Sequence, residues 1–147
     1  MATDYEEIYN SGRSRFRDFD FLLYDDDTKN EILFGHMKSA VADFQDTCQR
    51  DLTLSNNFVG SFSETLSNDE IEILGLGLAY YWCSEQALNS ELFKNIPSTK
   101  DFSYSSPATL LSSITSLRDS LEKRFTKKLR IYGYRHGGIS KLGTRVV

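Results

Sequence analysis

Residues 66–83, LSNDEIEILGLGLAYYWC, hold a helix start and a crowded helix middle in one stretch. Ser67 followed by Glu70 is a capping box, in which the serine hydroxyl and the glutamate carboxylate each take a backbone N–H that the first helical turn leaves unpaired. Leu66, just before the cap, is placed to staple onto Ile71. Ile71, Leu74, Leu78, Tyr81 and Trp82 then recur at helical steps. Gly75 and Gly77 each cost such a helix roughly 1 kcal/mol relative to alanine. Close approach of a neighbouring helix is what offsets that cost, so the segment predicts a tightly packed helix over about 67–86. The GLGL pair has no strand before it and lacks a third glycine, so it is a very weak nucleotide-loop signal.

Two more long helices follow from periodicity. In NEILFGHMKSAVADFQDTCQ, Leu33, Met37, Ala40, Val41, Phe44 and Cys48 form an apolar stripe, predicting a helix over about 28–48. The acids Asp25–Asp27 precede it. A Ca²⁺ loop needs spaced oxygen ligands and a glycine turn, so they read better as acids at a helix N-terminus, capped by Asp or Thr28. His36 sits beside the stripe and reads as a structural or surface residue. Farther on, Ser105 or Ser106 is an N-cap and Pro107 suits a first helical position. Leu110, Ile114, Leu117, Leu121 and Phe125 carry that helix to about Tyr132, with Arg118, Asp119, Glu122, Lys123 and Lys127 on other faces. Gly133 is placed to end it. Shorter pieces surround these helices. TDYEEIYN starts a helix at Thr3 or Asp4 that Gly12 interrupts. Phe16, Phe19, Leu22 and Leu23 share a helical face, and NSELFKN makes one short turn before Pro97.

The fold expected is all-α: a bundle of three main helices with short helices, room for a small β-hairpin within 52–63, and an extended C-terminal tail. It divides into an N-terminal extension (1–24), a bundle (25–132) and a basic arm (133–147), one domain overall. The length of 147 residues suits a single core.

Charge is segregated along the chain. Residues 1–51 hold twelve acids and six bases, whereas Lys123–Val147 hold eight bases and no acid, within a net charge of −4. Such a distribution can steer a partner or let the acidic end of one copy meet the basic end of another. It also fits a solvated helix C-terminus with a basic tail. The acidic start carries no apolar leader, and no apolar run approaches the ~20 residues that span a bilayer. Cys48 and Cys83 lie in apolar-periodic segments and read as buried free thiols in a reducing cytosol.

Nothing nominates catalysis. Two histidines and two cysteines fit no zinc spacing, and no nucleophile elbow, phosphate loop or zinc-protease motif occurs. The sequence therefore predicts no enzyme, no metal and no cofactor. Tyr132, Tyr134, Arg135 and His136 interleave aromatic with cationic groups, which keeps a helical nucleic-acid-binding or regulatory protein of a phage or mobile element as the alternative.

Three stretches carry a resemblance: LTLSNNFVGSFSETLSNDEIEILGLGLAYYWCSEQALNSELFKN, STKDFSYSSPATLLSSITSLRDSLEKRF and IYGYRHGGIS. Together they resemble the head–tail connector proteins, also called adaptor or head-completion proteins, of tailed bacteriophages of Gram-positive hosts. The similarity runs from about Asp25 to Ser140. It implies a helical bundle assembled as a ring of twelve copies between the portal protein and the stopper or tail-terminator protein. Double-stranded DNA would pass through the lumen without sequence-specific binding. It implies a virion neck protein assembled in the host cytoplasm, with no membrane partner. On that view the aromatics Phe102 and Tyr104, in the loop before the last helix, are interface anchors; the other reading packs them over their own bundle. Tyr132, Tyr134, Arg135, His136, Lys141 and Arg145 form a second candidate interface, an arm that orders against a neighbour or the portal.

Overall fold

The computed structural model describes residues 2–16, 26–55, 59–93 and 107–136. They form four helices: α1 (Tyr5–Arg13), α2 (Asp26–Phe44), α3 (Asn68–Phe93) and α4 (Pro107–Arg135). The fold is an all-α bundle, as the periodicity predicts.

α3 is the axis. Residues 73–79 are buried on every side, which a helix tolerates only when other helices surround it. Its first turn is the capping box read from the sequence: Glu70 N–H donates to Ser67 Oγ at 3.2 Å, and Ser67 N–H donates to Glu70 Oε1 at 2.7 Å. The two glycines then sit at the crossings. A Cβ on Gly75 would strike Ser11 of α1, whose own Cβ would be 2.7 Å away. A Cβ on Gly77 would lie 2.7 Å from Ala40 Cβ of α2 and 2.9 Å from the Phe125 ring of α4. α1 returns the fit with Gly12, where a Cβ would come 2.5 Å from Leu78 Cδ2.

α2 runs antiparallel to α3, with His36 at Glu85 and Cys48 at Glu70. Leu33, Met37, Ala40, Val41 and Phe44 are buried as expected, and Phe34 joins them. On α4, Ile114, Leu121, Phe125 and Tyr132 enter the same core.

Several boundaries differ from the sequence reading. α2 begins at Asp26 and gives way to a turn at 45–47, short of 48. α3 does not end near 86; it continues through Leu92 to Phe93 as one helix, so NSELFKN begins inside it rather than as a separate turn. No glycine or proline stands between Gln86 and Phe93 to break it. Gly133 lies inside α4, which runs to Arg135. Gly12 likewise lies inside α1, which ends at Arg13 and is followed by a 3-10 turn at 14–16.

Tyr5, Ile8, Tyr9 and Phe16 are buried in the same cluster as the other helices, so the packing shows no break between the start of the chain and the bundle. Phe16 stacks on Trp82 with ring centroids 4.0 Å apart. Phe19, Leu22 and Leu23 lie outside the described residues. The helix cap is Asp4, whose N–H donates to Glu7 Oε2 at 3.2 Å. Thr3 is used elsewhere: its buried hydroxyl accepts the Leu66 N–H at 2.8 Å.

The 52–63 region makes no strand among the described residues. Ser61 does pair in an antiparallel bridge, but with Asp4; Tyr5 N–H donates to Gly60 O at 2.9 Å and Phe62 N–H to Thr3 O at 2.9 Å. The start of the chain takes the bonds that a hairpin partner would have taken.

Candidate functional site

The C-terminal half of α4 has two opposed faces. The inner one is clamped by Glu70. That carboxylate is 2% exposed and, beyond its cap bonds, accepts the Tyr132 hydroxyl at 2.5 Å. Arg50 Nε lies 3.6 Å from its other oxygen. Burial pushes the Glu70 pKa up, but hydrogen bonds from Tyr132 and Ser67, with the Arg50 charge, outweigh it and hold the group below the usual carboxylate range. Around this carboxylate, the Tyr132 oxygen accepts the Gln49 N–H at 3.1 Å. Gln49 Nε2 donates to His136 O at 3.2 Å, and the His136 ring lies on Tyr132 at 4.1 Å. One buried acid therefore ties together the start of α3, the 48–50 turn and the last turn of α4.

The outer face carries Lys123, Lys127, Arg130 and Tyr134, at spacings of four, three and four residues. Those steps place them one above another on a helix, all exposed, with Tyr134 at 53%. Glu122, Thr126 and Ile131 complete an open groove of about 580 Å³ along this face. Among the described residues, no carboxylate pairs with Lys123, Lys127 or Arg130. Other cations are committed instead: Lys128 and Arg15 flank Glu72 at 3.7 and 3.8 Å, and the exposed Arg135 reaches Asp69 at 3.5 Å.

The sequence candidates therefore separate. Tyr134 is on the outer face. Arg135 is exposed but paired. His136 is held against Tyr132. Tyr132, expected on an interface, is 3% exposed, its hydroxyl spent on Glu70. Phe102, Tyr104, Lys141 and Arg145 lie outside the described residues. Arg130 was missed, as was the alignment of Lys123 and Lys127 with Tyr134; the four–three–four spacing was the available signal. Glu70 was read as a cap, with no local sign of its second task.

The thiols are free. Cys83 is fully buried, and burial pushes its pKa up to about 12. Cys48 is half-buried and also raised by burial. A thiolate is the reactive form, so a disulfide reagent at pH 8 is expected to modify Cys48 in the native protein and Cys83 only at the rate of unfolding. Equal labelling of both without denaturant would contradict the burial of Cys83. His36 Nε2 lies 2.6 Å from Glu85 Oε2; burial lowers its pKa more than Glu85 raises it. Among the described residues, no cluster of three His, Cys, Asp or Glu side chains is arranged to hold a metal, and no helix is long and apolar enough to cross a membrane.

Comparison of the chain with family models, curated proteins and solved structures finds no match in any of the three.

Proposed function

We propose that the chain is a structural virion protein of a tailed phage. It forms a ring in the neck, between the portal and the tail or stopper proteins, through which genomic DNA passes. The sequence resemblance suggests this reading. The observation that carries it furthest is the outer face of α4: three cations with no ion pair among the described residues and an exposed tyrosine, aligned on a helix whose other face is anchored in the core. Aromatic and arginine side chains in polar surroundings are the usual anchors of protein interfaces. The buried Tyr132 makes the helix a stiff platform for them, at little entropic cost on binding.

The test is genetic and structural. Lys123→Glu, Lys127→Glu and Arg130→Glu together should leave the circular dichroism spectrum intact. The same triple change should lower infectious titre at least a hundredfold and leave DNA-filled heads without tails. Electron microscopy of the wild-type neck should show the chain as a closed ring. Its absence from purified virions, or normal tailed particles from the triple variant, would sink the proposal.

The same stripe also supports the second reading, nucleic-acid binding. Three phosphate contacts would give log K against log salt a slope of about −2.7. Duplex DNA binding with that steepness, abolished by the triple variant in a chain absent from virions, would favour it.

A further inference from the structure

We infer that the α4 stripe docks on a second copy of this chain, in the acidic cleft beside α1. Lys123, Lys127, Arg130 and Tyr134 of one copy would face Asp4, Glu6 and Val59 of the next. This rests on the ring-forming reading above and names the two faces that would close the ring.

The cleft has a volume of about 300 Å³ and is lined by Asp4, Glu6, Tyr9, Asn30, Val59, Gly60 and Ser61. That is the low end of the range for small-ligand sites, space on the scale of a single inserted side chain. Its chemistry complements the stripe. Asp4 and Glu6 supply carboxylates, and Glu6 makes no ion pair among the described residues. Val59 is 64% exposed and offers an apolar wall. Tyr134 and Ile131 supply the matching apolar groups among the cations of α4.

Geometry favours a contact that repeats. α1 meets α3 at Gly75 and Leu78, whereas α4 meets it at Gly77 and Glu70. At 100° per residue these sets point to different sides of α3, so the outer surfaces of α1 and α4 face different neighbours. A contact between two different patches is heterologous, and it builds a ring when the rotation closes. Phosphate is the weaker occupant, because the stripe holds only three cations, shares its groove with Glu122, and belongs to a chain of net charge −4.

The experiment is a charge swap on the full chain, read by sedimentation velocity at low and high salt. Wild type should self-associate with concentration and dissociate as salt rises. Glu6→Lys alone and Lys127→Glu alone should each weaken association at least tenfold, with unchanged circular dichroism. The chain carrying both changes should recover it, and so should an equimolar mixture of the two single variants, because each junction is again complementary. Tyr134→Ala should weaken association mainly through faster dissociation. Association indifferent to the single reversals, or no recovery in the double variant, would overturn the contact while leaving a ring built from other faces open. A wild-type chain monomeric throughout would also overturn it, and the virion experiment would then decide the neck reading separately. Retention on duplex DNA that Lys127→Glu abolishes and Glu6→Lys spares would assign the stripe to phosphate and overturn the inference as well.

Discussion

Gly77→Leu is expected to cost this bundle about 3 kcal/mol or more, the upper range for overpacking a core. Even the first added carbon finds Ala40 Cβ at 2.7 Å and the Phe125 ring at 2.9 Å. A leucine must push α2 and α4 away from α3 together, because both meet it at this position. Gly77→Ala opposes two effects: alanine gains roughly 1 kcal/mol of helix propensity, and overpacking costs roughly 1–3 kcal/mol. The net should be destabilising, and Ala40→Gly in the same chain should relieve part of it. Gly35 is the control. A Cβ there meets nothing within 4 Å, so Gly35→Ala should stabilise by about 0.5–1 kcal/mol. Urea midpoints of the four variants check the series. A Gly77→Leu protein as stable as wild type would mean that the three helices do not cross as described.

Glu70→Ala is the second large effect, about 2–4 kcal/mol, because it removes hydrogen bonds to a buried charged acceptor and leaves partners unsatisfied. The Ser67 N–H loses its cap, and the Tyr132 hydroxyl loses its acceptor inside the core. Tyr132→Phe should cost less, and its effect should shrink in the Glu70→Ala background, since both changes remove one shared bond. Glu70→Gln isolates the charge. The folded-state pKa of Glu70 is depressed, so the unfolded chain takes up the proton first as pH falls. Its contribution is therefore complete above the unfolded-state value and is lost as pH drops through the folded one. The stability of wild type should fall across that acidic window more steeply than that of Glu70→Gln. Parallel pH profiles would show that the carboxylate is not held ionised by its partners. His36, lowered by burial, adds to the acid sensitivity of both proteins equally: its charging favours the unfolded chain as pH falls below the ordinary histidine range.

Local signals were read well because local physics settles them. The Ser67–Glu70 box needs only three residues of spacing. The α2 stripe needs only its period. Gly75 and Gly77 announced close neighbours because their helical cost called for an offset, although the sequence did not say that one faces α1 and the other both α2 and α4. Boundaries set by tertiary contact were not legible. Gly133 is a good stop signal in isolation, yet α4 passes it because Tyr132 is fastened to Glu70 and His136 O to Gln49. Ser61 has the composition of a hairpin segment, yet its partner is Asp4, 57 positions earlier in the chain. Of the candidate site, Lys123, Lys127 and Tyr134 were visible in sequence, and Arg130 only as one of the eight bases of the C-terminal stretch. Which of them remained unpaired was not, since that depends on where Glu72, Asp69 and Glu70 stand.

The order of residues determined by itself that this chain is helical, where its central helix begins, and that its charge runs from acidic to basic. Helix caps, period and charge are properties of neighbours along the chain. The fold alone decided that Tyr132 is core while Tyr134, two residues on, is surface, and that among the described residues Lys128 has an ion-pair partner and Lys127 has none. Successive helical side chains point 100° apart, so adjacent residues meet different surroundings, and those surroundings exist only once distant segments have packed.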